Sequence, residues 1–181
     1  MTIIDAIKAL LPILTVIANV LFIGVSGLWI YAKITKKSVP ILTFVKNHVL
    51  AASAIIAITA TIGSLFYSEV AGYNPCKLCW IQRIFMYPQA IILPLAHIWN
   101  DKRIFRYTLP LSVIGLILAA YHYLLQIGVL TTSTCSTVGF SLACSDRFFM
   151  TYGYITIPMM AVSAFSLLVI FGLLAHPKIN K

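Results

Sequence analysis

Charged side chains are scarce in this sequence, and acidic side chains are the scarcest of all. Only 9% of the 181 residues are charged, and only four are Asp or Glu, whereas a soluble domain carries about 25% charged residues. Hydrophobic residues make up 61% of the chain, which is more than the interior of a soluble protein of this length could bury. We therefore expect lipid to be the main solvent of this protein.

Internal repeats, low-complexity tracts and long hydrophilic linkers are also missing from the sequence. One polytopic membrane domain over residues 1–181 is therefore expected. The net charge of +9 would suit nucleic acid, but the basic residues lie between apolar runs rather than in a patch with aromatic residues. That distribution is typical of membrane topology, and we expect no nucleic-acid partner.

Five apolar runs are long enough to cross about 30 Å of hydrocarbon, which takes roughly 20 helical residues. The first run is too long for a signal peptide and no small-residue cleavage site follows it, so we expect it to be retained. The sequence thus predicts an all-α, multi-pass membrane protein. The five predicted spans are Ala9–Tyr31, Val49–Tyr67, Trp80–Trp99, Leu109–Ile127 and Tyr154–Ala175.

The basic residues predict how these spans are oriented. If the spans alternate, one side holds Lys33, Lys36, Lys37, Lys46, Lys102, Arg103, Arg106, Lys178 and Lys181, and the other holds Lys8, Lys77, Arg83 and Arg147. The richer side is expected to be cytoplasmic, so the N-terminus faces outward and the C-terminus faces inward. The outward segments 68–79 and 128–153 then contain all four cysteines. Outside a bacterial inner membrane these cysteines would meet an oxidising compartment.

The first outward segment ends in a motif that indicates redox chemistry. Cys76 and Cys79 have C-x-x-C spacing, with Asn74 suited to cap a helix and Pro75 suited to its first position. A helix N-terminus favours a thiolate. Arg83 follows one turn after Cys79, and a cation inside a membrane span is costly. We predict a redox centre, although Arg83 could instead snorkel to the interface.

The second pair, Cys135 and Cys144, leaves three roles open for the four cysteines. A structural disulfide across this loop of about ten residues would stabilise by a little under ~3 kcal/mol, but a C-x-x-C disulfide constrains little. A four-cysteine zinc site is disfavoured because C-x8-C is a wide spacing for zinc and the compartment is oxidising, so no metal is expected. Thiol–disulfide exchange would use all four cysteines, with quinone as the natural lipid-dissolved acceptor of two electrons.

Other polar and aromatic residues near the outer surface have two interpretations each. His122 lies at about the depth of Cys79 and Arg83 and could bind a quinone carbonyl or supply a proton, or could simply bond to a neighbouring helix. Gln82 and Tyr87 are further candidates near Arg83. Residues at predicted span ends are expected to be interfacial anchors; they are Trp29, Tyr31, Tyr67, Tyr73, Trp80 and Trp99.

Three stretches of this sequence resemble the DsbB/BdbC family of disulfide bond formation proteins. They are Cys76-Lys-Leu-Cys79-Trp-Ile-Gln-Arg83, the outward loop with Cys135 and Cys144, and Gly153-Tyr-Ile-Thr-Ile-Pro158. The resemblance covers roughly Val49 to Ala175. It implies a four-helix transmembrane bundle built from spans two to five, to which the first span is an addition. The C-x8-C spacing is similar to that of the shorter, BdbC-like branch.

The resemblance also implies roles for the cysteines and their partners. Quinone, either ubiquinone or menaquinone, would bind near Cys79 and Arg83. Cys135 would exchange with a DsbA-like protein of thioredoxin fold, and Cys144 would pass the electrons to Cys76. Because such a partner has a potential of about −120 mV, its oxidation needs a carrier of higher potential.

The expected function is therefore that of a membrane thiol oxidase, which re-oxidises an extracytoplasmic dithiol protein and passes the electrons to quinone. Two alternatives remain at this point. One is a small membrane scaffold or transporter subunit whose cysteines form structural loop disulfides. A structural disulfide, however, would not need a cation such as Arg83 one helical turn away. The other is a quinone-site reductase resembling vitamin K epoxide reductase, which also uses C-x-x-C in a helix bundle.

Overall fold

Five long helices make up most of the described chain. The computed structural model describes residues 3–37, 39–130 and 148–175. The helices are α1 (Ile3–Thr35), α2 (Pro40–Leu65), α3 (Lys77–Ile98), α4 (Phe105–Gln126) and α5 (Ile157–Ala175). A π-helical turn, Phe66–Val70, continues α2, and a short 3-10 helix, Lys102–Ile104, precedes α4. The all-α fold predicted from the sequence is confirmed.

The helix boundaries follow from local backbone signals. Pro40 begins α2, where its missing N–H leaves no hydrogen bond unmade, and Lys36 follows α1 with a φ of 55°, the left-handed conformation that ends many helices. The helix of the last predicted span begins three residues after Tyr154. A bridge between Thr151 and Ile155 closes a turn there, so α5 begins only at Ile157.

Helices α2 to α5 form the four-helix bundle that the resemblance implied. α2 contacts α3 and α5, and α4 contacts the same two helices, so the four helices close a ring. Val49, Leu93 and Phe165 in its core are at most 1% exposed. α4 and α5 approach so closely at Gly115 that a Cβ there would overlap the Phe165 ring. Small residues allow such close backbone contact in membrane bundles.

Helix α1 packs outside this ring, against α5 and at fewer positions against α2. Two polar contacts locate it. Ser163 Oγ on α5 donates a hydrogen bond to Asn19 Oδ1 over 2.6 Å, and Lys8 Nζ lies 5.1 Å from the centre of the Tyr73 ring. The start of α1 is therefore at the same end of the molecule as the segment that leads into α3.

The helices are those of a multi-pass membrane protein. Within the described residues, four helical stretches are long and apolar enough to span a membrane: Ile3–Thr35, Pro40–Val70, Lys102–Gln126 and Ile157–Ala175. α3 has 22 residues, about 33 Å at 1.5 Å per residue, but Gln82, Arg83 and Gln89 reduce its hydropathy. All three side chains are buried, so α3 turns its polar groups towards the protein.

Candidate functional site

The two cysteines of the C-x-x-C motif are in contact at the N-terminal end of α3. The helix begins at Lys77, and Cys76 is its N-cap residue with extended backbone angles (φ −72°, ψ 171°). The prediction that Asn74 caps this helix and Pro75 opens it is therefore wrong by two residues. Cys76 Sγ donates to Cys79 Sγ over 3.4 Å.

His122 on α4 connects Cys76 to α3 through a second contact. The ring is 2% exposed, with Nε2 3.6 Å from Cys76 Sγ and Nδ1 3.0 Å from Gln82 Nε2. Because the Gln82 amide donates to Nδ1, the ring proton belongs on Nε2, which faces the sulfur. His122 is thus placed to donate a hydrogen bond to a Cys76 thiolate.

These contacts set the ionisation of Cys76. Its pKa is raised from 9.0 to about 12, chiefly because its hydrogen bond to Cys79 would be lost on ionisation and secondly because the thiol is buried. His122 acts in the opposite direction and lowers the pKa of Cys76. At neutral pH the reduced pair therefore keeps a proton on Cys76, with Cys79 as the acceptor of the bond between them.

Arg83 is buried and fixed against α2. It is 7% exposed, and it donates from Nε to Ser64 Oγ and from Nη2 to the Ser64 carbonyl, both over 3.0 Å. The Trp80 ring covers its guanidinium at 4.9 Å. These two hydrogen bonds hold the guanidinium against α2, inside the protein. Both acceptors are neutral, so they leave its positive charge available to a ligand.

The π-helical turn at the end of α2 places Tyr67 beside Arg83. Such turns insert an extra residue into the helical repeat and are frequent at functional sites. The Tyr67 side chain is 4% exposed and lines the same cavity as Arg83 and Cys79. The prediction that Tyr67 is an interfacial anchor is therefore wrong: the ring faces inward, where it also packs against Tyr73.

A cavity of about 490 Å³ extends from Cys79 and Arg83 between α1, α2, α3 and α5. Arg83, Gln82 and two tyrosines lie near Cys79, and the rest of the cavity wall is mostly aliphatic and aromatic, with hydroxyl side chains at Thr15, Thr59 and Ser163. The hydroxyls of Tyr67 and Tyr87 are buried without a hydrogen-bond partner among the residues that the structure describes. A buried hydroxyl without a partner is costly, so these two groups indicate a ligand with polar acceptors.

This lining fits a quinone. A quinone ring offers two carbonyl acceptors, and the buried cation Arg83 lines the cavity together with Tyr67 and Tyr87. Pockets that hold ligands are typically about 300–1,000 Å³ and mostly apolar, with a few polar groups that orient the ligand. His122 does not line this cavity; it lines a smaller one with Cys76 and Phe148. Its predicted contact with quinone remains a prediction, while its observed contact is with Cys76.

Cys135 and Cys144 lie outside the described residues, but the chain on both sides of them is beside the first pair. Before them, Leu130 packs against the buried group that includes Cys76. After them, Phe148 stacks on Tyr73 with ring centres 4.8 Å apart. The segment that carries the second cysteine pair therefore leaves and rejoins the described structure next to the first.

Cys76, Cys79 and His122 also form a possible metal-ligand group, since their donor atoms lie within 4.8 Å of one another. A structural zinc site normally has four protein ligands, and the four-cysteine site considered from the sequence would need Cys135 and Cys144, which lie outside the described residues. The direct sulfur–sulfur contact favours disulfide chemistry for this pair.

Comparison with known proteins identifies related sequences. The family model described as "Disulfide bond formation protein DsbB" matches residues 46–175. "Disulfide bond formation protein C" of Bacillus subtilis is 40% identical over 130 residues, which cover 70% of this chain and 92% of that protein. A "Probable disulfide formation protein" of Deinococcus radiodurans is 39% identical over 132 residues, covering 68% and 84% of the two chains. No solved structure matches the chain.

Proposed function

The chain belongs to the DsbB family of disulfide bond formation proteins, and we propose that it takes electrons from a soluble dithiol protein and passes them to membrane quinone. Family membership makes it a disulfide-forming membrane thiol oxidase and removes the scaffold as an explanation. The observation that carries the quinone proposal is the contact pair Cys76–Cys79, with Cys79 lining a mostly apolar cavity that the buried cation Arg83 also lines.

The proposed reaction begins at the second cysteine pair. A reduced DsbA-like partner gives two electrons and two protons to a Cys135–Cys144 disulfide, so the partner gains a disulfide and the loop becomes a dithiol. Such a partner needs an outward-facing loop, which the distribution of basic residues supports. The same distribution supports an N-terminus outside and a C-terminus in the cytoplasm, and the bacterial relatives support a bacterial cell membrane.

The electrons then pass to the first pair. Cys144 attacks Cys76 Sγ, breaks the Cys76–Cys79 bond and releases Cys79 as a thiolate towards the cavity that it lines. Cys135 next attacks Cys144, which restores the loop disulfide and releases the Cys76 thiolate. Cys144 is four positions before Phe148, at most about 14 Å of extended chain, and Phe148 and Cys76 line the same small cavity.

His122 and Arg83 act at different sulfurs in this scheme. His122 Nε2 faces Cys76 Sγ, so it stabilises the Cys76 thiolate as it leaves and helps to return its proton. Arg83 and Cys79 line the large cavity together, where the guanidinium favours negative charge. Bound there, a quinone would supply the acceptor for the two electrons and two protons, and Arg83, Tyr67 and Tyr87 would hold its carbonyl oxygens.

Quinone reduction by purified protein tests this proposal. With a reduced DsbA-like partner, the protein should decrease quinone absorbance, and Cys79→Ser should abolish turnover because no disulfide can form at the first pair. Ile84→Ala is the matched control: Ile84 is on the same helix and 65% exposed, so its turnover should stay unchanged. Normal turnover in Cys79→Ser would disprove the mechanism.

A further inference from the structure

Helix α1 lies outside the family match, which begins at residue 46, yet it forms one wall of the large cavity. Six of its residues line that cavity and lie on one helical face: Leu11, Leu14, Thr15, Ile17, Ala18 and Leu21. All are aliphatic or small except Thr15, whose hydroxyl bonds to the Leu11 carbonyl of its own helix. The contribution of α1 is therefore an apolar surface.

The cavity is longer than a quinone ring needs. Along α2 its lining runs from Ala52 to Tyr67 and along α5 from Ile157 to Phe171, which correspond to about 22 and 21 Å of helix at 1.5 Å per residue. The one charged donor among the lining residues, Arg83, is at the end near Cys79, and the hydroxyls of Thr15 and Ser163 already donate to protein acceptors. The remaining length needs an occupant that is long, narrow and apolar.

Specific contacts hold α1 against this part of the cavity. The hydrogen bond between Asn19 and Ser163 spans 2.6 Å and joins α1 to α5 at a residue that itself lines the cavity. Near the outer end, Leu11 packs on Gly63, where an added Cβ would lie 3.3 Å from Leu11 Cδ2. These contacts define the distance of α1 from α2 and α5, and hence the width of the cavity.

We propose that α1 is a binding element for the polyisoprenoid tail of the quinone, which it holds against α2 and α5 while the ring lies near Arg83. This inference rests on the proposed function. Lipid is as apolar as the cavity wall, so the tail gains little hydrophobic free energy by leaving the bilayer. The gain is in packing and in orientation, because a fixed tail brings the ring to Cys79 in one position.

Filling the apolar part of the cavity tests this assignment. Ala18→Trp places an indole in the wall, and Val20→Trp is the matched control, since Val20 is on the same helix, is 64% exposed and does not line the cavity. For a long-tailed quinone, Ala18→Trp should lower kcat/KM about tenfold, equivalent to about 1.4 kcal/mol. For a quinone without a tail the change should stay below about twofold, and Val20→Trp should change neither value. Leu21→Trp, one turn deeper, should reproduce the Ala18→Trp pattern if the Ala18 variant fails to fold.

Binding gives a readout that does not depend on turnover. Long-tailed quinone extracted from purified Ala18→Trp protein should fall below the amounts in the wild type and in Val20→Trp. If Ala18→Trp lost as much kcat/KM with a tail-less quinone as with a tailed one, α1 would act in folding or in binding the ring, and the proposal would fail. The proposal would also fail if Ala18→Trp lost no kcat/KM with either quinone. A fall in co-purified phospholipid alone would mean that an acyl chain occupies the cavity. If wild-type protein exchanges disulfides but reduces no quinone of either kind, the proposed function itself fails.

Discussion

Replacing Cys79 by alanine should make the Cys76 thiol easier to ionise. The largest cause of its raised pKa is the hydrogen bond that it donates to Cys79, and alanine offers no acceptor for it. The pKa of Cys76 should then fall from about 12 towards its ordinary value of 9.0. Burial still raises the pKa, so the fall should be incomplete.

The size of this effect is large enough to measure. At pH 9 a thiol with a pKa of 9 is half ionised, whereas one with a pKa of about 12 is ionised to roughly one part in a thousand, and only the thiolate reacts. Alkylation of Cys76, followed by peptide mass as a function of pH, should therefore become faster at pH 9 in Cys79→Ala. Cys135 and Cys144 are replaced by alanine in every sample so that Cys76 cannot exchange with them.

A second variant should shift the pKa of Cys76 in the opposite direction. His122 lowers the pKa of Cys76, so His122→Ala should raise it further and slow alkylation at every pH below the midpoint. The two variants together separate the hydrogen bond from a general loosening of the site, which would speed alkylation in both. An unchanged or slower reaction in Cys79→Ala would refute the reasoning, because it would mean that the sulfur contact does not hold the proton.

Two further predictions concern packing and the polar end of the cavity. Gly115→Ala should destabilise the bundle by about 1–3 kcal/mol, because the new Cβ overlaps the Phe165 ring, and should lower the Tm in detergent; Gly24→Ala, where a Cβ meets nothing within 4 Å, should not. Tyr67→Phe should raise the KM for quinone several-fold, because a hydrogen bond contributes about 0.5–1.5 kcal/mol, while Tyr73→Phe, outside the cavity, should leave KM unchanged. Equal KM values in the two phenylalanine variants would contradict the role of the Tyr67 hydroxyl.

The helices could be predicted from the sequence because each apolar run has the length that a bilayer requires. Helix α1 extends beyond its predicted span at both ends, Ile3 and Thr35, since a helix can continue past the hydrocarbon that defines the apolar run. The start of α3 was less predictable. Asn74 and Pro75 are good local signals, but the helix begins two residues later, with Cys76 as its N-cap residue.

Residues at the site were harder to place, because the depth of a residue in the membrane does not determine which way its side chain points. His122 was expected at the depth of Arg83, yet its ring faces Cys76 and Gln82 instead of the large cavity. Tyr67 was expected at the interface, but the π-helical turn changes which way it points. Ser64, the partner of Arg83, carries no sequence signal, because a serine on an apolar helix has many common roles.

The central claim is that electrons from a protein dithiol leave through Cys79 to quinone, and its most direct test is stoichiometry. Purified protein, a reduced DsbA-like partner and quinone are mixed without oxygen, and both products are counted. The account predicts one quinone reduced for each partner disulfide formed, with none reduced by Cys79→Ser. The account would be contradicted if quinone stayed oxidised while the number of partner disulfides formed exceeded the number of disulfides that the membrane protein itself could supply.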